Sequence, residues 1–296
     1  MNAPSSNRPV IGPEVIALYD EYTHAPLPRR VFMKRLTAVT GSVTAATALL
    51  PFLENNYAQA AVLPEGDARL ATQTAGFASA AGLVSAYMAW PKAASGKLAA
   101  VIIIHENRGL NPHIQDITRR LALAGFLACA PDYLSGLGGT PADEDKARDL
   151  IAQLTPATID QISLGALQFL KHHPQASGKC GALGFCWGGG AVNQLAVVAP
   201  DLDAGVAFYG MQPKAEEISH IKAPLLLHYA GLDERINAGI PGFESALKAA
   251  GKTYELHVYD GVNHAFNNDT NAARYDAKAA TLAWQRTVEF LQRYLG

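Results

Sequence analysis

The sequence predicts an α/β fold with a mainly parallel sheet and helices on both of its faces. Three observations predict it. Strand-like and helix-like segments alternate from about residue 80 to the C-terminus. Several strand-like runs are continuously aliphatic, as strands covered on both sides must be. The residues with chemical potential fall where loops leave the carboxyl ends of those strands. Residues 98–104 read as the first buried strand. Ile117, Leu121 and Ala124 give helical spacing over 114–124, which Gly125 closes, and 126–130 is the next strand. Residues 143–154 and 158–172 read as amphipathic helices. The second of them has an apolar face of Ile159, Ile162, Ala166, Phe169 and Leu170 and ends before Pro174. Strands are expected at 179–185, 204–209, 225–229 and 254–259, with helices at 243–250 and 272–295.

The chain has 296 residues, 49% of them hydrophobic, enough for one large domain with a substantial core. A net charge of -2 gives no basic field that would draw it to nucleic acid. Neither a repeat nor a low-complexity tract is present. Three cysteines are too few and too poorly spaced for a disulfide framework or a zinc ribbon, and Cys129 and Cys180 sit in apolar runs as small core residues.

The first 60 residues read differently. Arg29-Arg30-Val31-Phe32-Met33-Lys34 precedes a mild apolar stretch over 36–53 and then Ala58-Gln59-Ala60, a small-x-small pattern. That order is a secretory signal, and the paired arginines resemble a bacterial twin-arginine signal. The expected organisation is an export segment over 1–60 and a catalytic domain over 61–296. The twin-arginine machinery is then a partner of the precursor, and the mature protein is periplasmic or secreted. An uncleaved chain would instead be cytoplasmic or membrane-anchored.

Gly184-Phe185-Cys186-Trp187-Gly188-Gly189-Gly190 follows a strand and opens a helix. This is the nucleophile elbow G-x-S-x-G of α/β-hydrolases with cysteine in place of serine. The turn is sharp, so its neighbours must be small, and Gly184 and Gly188 meet that need. A helix N-terminus favours thiolate. No Lys-Ser/Thr follows the glycines, which excludes a P-loop. An elbow needs an acid and then a histidine further along the chain. Asp233, in Gly231-Leu232-Asp233, follows one strand, with Glu234 as its adjacent competitor. His264 follows the next strand. His264 would move the proton, and Asp233 would orient and charge-stabilise its ring.

Gly-x-Cys-x-Gly-Gly, His105-Glu106 after the early strand, Pro131-Asp132, Tyr209-Gly210 and His264-x-Phe266 together resemble the dienelactone hydrolase family over about residues 80–295. The resemblance implies a compact α/β-hydrolase that opens an unsaturated lactone. It implies that Glu106 holds the thiol in the resting enzyme and helps to generate thiolate. It also implies an oxyanion hole from the backbone N–H groups of Trp187 and Asn107. The alternative reading of Glu106 is a loop carboxylate paired with Arg108. Tyr209, Tyr133 and Phe266 are the expected pocket residues.

Lactone-opening members bind the substrate carboxylate with two arginines, one after the Pro-Asp motif and one after His-x-Phe. Here those stretches read Tyr133-Leu134-Ser135-Gly136 and Asn267-Asn268. Arginine is the residue suited to bidentate carboxylate recognition. The expected substrate is therefore a small, less charged ester, lactone or thioester. Acyl transfer on the same site and a non-catalytic binding protein are the competing functions. No cofactor and no metal are expected. His172-His173 is read as a helix end, and His113, His228 and His257 as local hydrogen-bonding residues.

Overall fold

The computed structural model describes residues 11–25, 27–57 and 62–296. Eight strands make one sheet: β1 (Leu70–Ser79), β2 (Gly82–Pro91), β3 (Leu98–Ile104), β4 (Leu127–Pro131), β5 (Ala176–Phe185), β6 (Ala204–Phe208), β7 (Leu225–Ala230) and β8 (Tyr254–Tyr259). Their order is β1-β2-β4-β3-β5-β6-β7-β8. The pairings from β4 to β8 are parallel, and β1–β2 and β2–β4 are antiparallel. This is the mainly parallel sheet the sequence predicts, extended at one edge by a hairpin that turns through Ala80 and Ala81 and enters β2 at Gly82, whose φ is 110°. Side chains alternate across a strand, and β3 shows the consequence. Val101 and Ile103 belong to the core on one side, Ile102 and Ile104 to the core on the other, and all four are fully buried.

Among the described residues, the helices N-terminal to the sheet include α1 (Pro13–His24), α2 (Arg29–Thr40) and α3 (Val43–Leu53). Within the α/β unit follow α4 (Pro112–Leu123), α5 (Glu144–Ile151), α6 (Pro156–Lys171), α7 (Trp187–Val198), α8 (Glu234–Asn237), α9 (Ile240–Ala249) and α10 (Ala277–Leu295). Ile114, Ile117 and Leu121 of α4 and Phe290, Leu291 and Leu295 of α10 cover the Val101 face. Ile162 and Leu167 of α6, Val192 and Leu195 of α7 and Leu247 of α9 cover the other. Each such side chain contributes about 1.5–3 kcal/mol by leaving water.

The N-terminal helices have a core of their own, built from Leu18, Tyr19, Tyr22, Phe32, Leu36, Ala46 and Leu53. The rings of Tyr22 and Phe32 stack at 4.3 Å. α2 stops at Gly41 in the left-handed region, φ 79°, and α3 starts at Ser42, whose hydroxyl accepts from the Ala45 N–H at 3.0 Å. The two helices meet at a 113° bend, and among the described residues no single helix is long and apolar enough to cross a membrane. Arg29 bonds Glu54 at 2.6 Å and lies 3.5 Å from Asp145. The Ala58-Gln59-Ala60 pattern lies outside the described residues.

Candidate active site

β5 delivers Cys186 at φ 56°, ψ −117°, a left-sided conformation that a side-chain-bearing residue adopts only under constraint. The constraint is visible on both sides. A Cβ on Gly184 would overlap the Gly188 carbonyl, and a Cβ on Gly188 would overlap the carbonyls of Ile104 and His105. The Cys186 N–H is held by the Phe208 carbonyl at 3.0 Å. The thiol therefore stands at the N-terminus of α7, at the end of β5.

His264 and Asp233 come from the loops after β8 and β7, as the motif order predicts. His264 Nδ1 lies 2.5 Å from Asp233 Oδ2, and both side chains are almost fully buried. The second oxygen of Asp233 caps α8 by accepting from the Ile236 N–H at 3.2 Å, which fixes the carboxylate. The competitor Glu234 is exposed. His264 Nε2 has no hydrogen-bond partner among the described residues and lies within 4.8 Å of the Cys186 sulfur. Burial alone would raise the Cys186 thiol, but the rings of His24 and His264 outweigh it and bring it down to about 6. Burial alone would lower His264, but Cys186 and Asp233 hold it up at about 10. Burial raises Cys129 to about 12 and sends Cys180 well above the ordinary thiol.

The remaining expected residues divide. Asn107 and Trp187, the residues expected to supply the oxyanion hole, both line the cavity that opens on Cys186. Glu106 is buried, but its carboxylate accepts from Asn268 Nδ2 at 2.8 Å rather than meeting the thiol. Arg108 does not pair with it. Its NH1 donates to the Glu144 carbonyl at 3.0 Å and lies 3.4 Å from Asp145. The group on the sulfur is His24, at the end of α1, whose Nε2 is 3.2 Å from Sγ. Nothing in the spacing of the sequence marks His24.

A cavity of about 570 Å³ opens on Cys186, Trp187, Tyr209 and His264. Ile159, Met211 and Ile236 supply apolar wall, and Lys214, Arg235, Asp160 and Glu217 supply charge of both signs. Tyr209 lines this space with its ring 4.8 Å from that of His264. Tyr133 and Phe266 do not line it. Tyr133 packs edge-on behind Trp187 and bonds Ser163 at 2.7 Å, and Phe266 is fully buried against Tyr209. Their role is to support the wall. Asp132 holds the following loop by accepting from the N–H groups of Leu134 and Thr140. His228 bonds Thr287 and Tyr259, the local role expected of it.

Comparison with known proteins agrees with this geometry. Residues 84–295 match the model of the dienelactone hydrolase family. A Saccharolobus solfataricus protein named "Putative carboxymethylenebutenolidase" is 34% identical over 246 residues, covering 71% of this chain and 94% of its own. An Escherichia coli K12 protein of the same name is 35% identical over 226 residues, covering 71% and 83%. A crystal structure named "Putative Dienelactone Hydrolase" from Klebsiella pneumoniae superposes with a TM-score of 0.70 at 30% identity, over 76% of this chain and 99% of that one. A family match that takes in most of β2 and all of β3 to β8, with relatives aligned over most of their length, identifies the chain as a hydrolase of the α/β-hydrolase fold that belongs to the dienelactone hydrolase family.

Proposed function

We propose that the protein hydrolyses small, weakly charged esters or lactones through an acyl-cysteine intermediate on Cys186. The observation that carries this reading is a buried carboxylate–imidazole pair, Asp233–His264, whose free nitrogen faces a thiol held at a strained elbow. Cys186 attacks as thiolate, and the carbonyl electron pair moves onto oxygen between the N–H groups of Trp187 and Asn107. As the carbon–oxygen ester bond breaks, His264 gives its proton to the leaving oxygen. The neutral ring then takes a proton from water, which attacks the thioester and releases the acid. A lactone follows the same steps with both products on one molecule. The names of the relatives, carboxymethylenebutenolidase among them, support lactone opening as the family chemistry. Asn267 and Asn268 in place of an arginine support a less charged substrate here.

The experiment is a panel of p-nitrophenyl esters, lactones and thioesters run on the parent and on Cys186→Ala. Cys186→Ala is expected to lose nearly all turnover. Iodoacetamide is expected to label Cys186 before Cys129 and Cys180 and to remove activity in step. A Cys186→Ala protein with parental rates on every cleaved ester would end this reading.

A further inference from the structure

His24 and Cys186 are 162 positions apart, and the hydrogen bond between them is the contact in the site that the family chemistry does not call for. The far side of the ring is as well organised as the near side. Its Nδ1 lies 2.8 Å from the Asp20 carbonyl, 3.2 Å from Asp20 Oδ1 and 3.1 Å from the Thr23 hydroxyl. His24 thus resembles His264 in having Nε2 turned to sulfur and a carboxylate near Nδ1, although its Nδ1 hydrogen bond goes to the Asp20 carbonyl rather than to the carboxylate. The two rings meet edge-on at 4.5 Å.

The helix that carries His24 is seated by specific bonds. Asn107, which lines the cavity with Cys186, donates its side-chain N–H to the Thr23 carbonyl at 2.6 Å. Arg148 donates to the Tyr22 carbonyl at 2.9 Å and lies over the Tyr22 ring at 4.7 Å. Arg274 covers the Tyr19 ring at 5.0 Å and lies 3.5 Å from Asp20. The end of α3 is bound too. The Ala273 N–H donates to Phe52 at 3.1 Å and the Asn56 N–H to Thr270 at 2.8 Å. His24 forms part of the cavity wall and leaves the space in front of Cys186 open, so it is not a plug.

We propose that His24 is a second catalytic histidine, which holds the Cys186 sulfur as thiolate alongside His264, and that the segment from 11 to 57 is therefore a working part of the enzyme. The proposal deepens the cysteine-hydrolase reading and rests on it for its effect on turnover, but not for its effect on the thiol. His24 keeps its proton throughout. Its positive charge faces the sulfur before attack, and the proton that reaches the leaving oxygen comes from His264. Burial disfavours a charged His24 ring, and His264 opposes it as well, while Cys186 and Asp20 favour it and prevail. The charged and titratable groups around the cluster are Asp20, Arg274 and Arg235 behind His24, Asp233 behind His264, and Glu106 and Arg108 around the small space beneath the sulfur.

The test is the pH dependence of iodoacetamide alkylation at Cys186 in full-length protein, for the parent, His24→Gln and Asp20→Asn, alongside kcat/KM on a p-nitrophenyl ester. The parent midpoint is expected near 6. In His24→Gln it should rise by at least about one unit, so that alkylation and kcat/KM below pH 6 fall about tenfold or more while rates near pH 9 converge. Asp20→Asn leaves the ring in place and should fall between the two. An unmoved midpoint in a His24→Gln protein with parental circular dichroism overturns the proposal. So does faster alkylation and turnover at every pH, the mark of a lid. If the parent cleaves no ester, the alkylation profile still decides the matter, so this proposal and the hydrolase reading fail separately.

Discussion

Asp233→Asn tests how the site sets its protons. Between about 6 and about 10, Cys186 is thiolate while His264 is imidazolium. An isolated thiol of pKa about 9 and imidazole of pKa about 6.5 would be about 3% and about 9% in those forms at pH 7.5, a competent share of about 0.3%. The paired site is almost wholly competent, a gain on the order of a hundredfold, or roughly 3 kcal/mol. Asparagine keeps the α8 cap and the size of the side chain but removes the charge that sustains the His264 proton. If His264 relaxes to its ordinary value, its protonated share at pH 7.5 falls about tenfold. Loss of ring orientation costs roughly a further hundredfold. The expected kcat/KM at pH 7.5 is thus about a thousandth of the parent's, with the alkaline limb moved from about 10 to near neutrality. The acid limb should move less, because His24 still faces the sulfur. The assay is a stopped-flow pH profile of kcat/KM, with Glu234→Gln as a silent control. An alkaline limb still near 10, with activity at pH 7.5 within about threefold of the parent, would refute the reasoning.

Three further outcomes follow from the packing. Gly188→Ala should lower stability by about 2–4 kcal/mol, read as urea midpoint, because its Cβ has only backbone carbonyls to displace. Neutral esters or lactones should be turned over at least as well as carboxylate-bearing dienelactone. A preference for dienelactone of a hundredfold, about 2.7 kcal/mol, would require a carboxylate anchor such as Arg235 or Lys214 on the cavity wall. Intact mass of the soluble protein, expressed in a bacterium with a working twin-arginine system, should correspond to a chain that retains His24. A chain beginning near Ala61 would support the export reading and confine His24 to the precursor.

That Cys186, Asp233 and His264 come together was legible because each occupies a strand end with its own local signature. Residues 98–104 were legible as a strand because both faces are covered and every position is apolar. The β1–β2 hairpin was not. Its strands are half exposed at the sheet edge, with the burial pattern of β1 broken by Thr72, Gln73 and Thr74, so no clean alternation marks it. Residues 29–53 carry the composition of an export signal and that of two packed helices equally well, because both require an apolar run behind basic residues. His24 was illegible because its meaning depends on a partner 162 positions away. Glu106 had a family-implied role, but its actual partner, Asn268, stands where a family arginine would be.

The N-terminal helices also impose an order of assembly. Residues 11–57 emerge first during synthesis, yet the groups that seat them, Arg148, Asn271 and Arg274, emerge much later. In the interval their apolar faces have mainly one another, and the Tyr19, Tyr22, Phe32 and Leu36 cluster is nearly closed on itself. What remains to be joined is largely hydrogen bonds and ion pairs, which form late without a large apolar surface left waiting. The Cys186 thiol consequently acquires its two histidines only near the end of translation, when the last third of the chain is already in place.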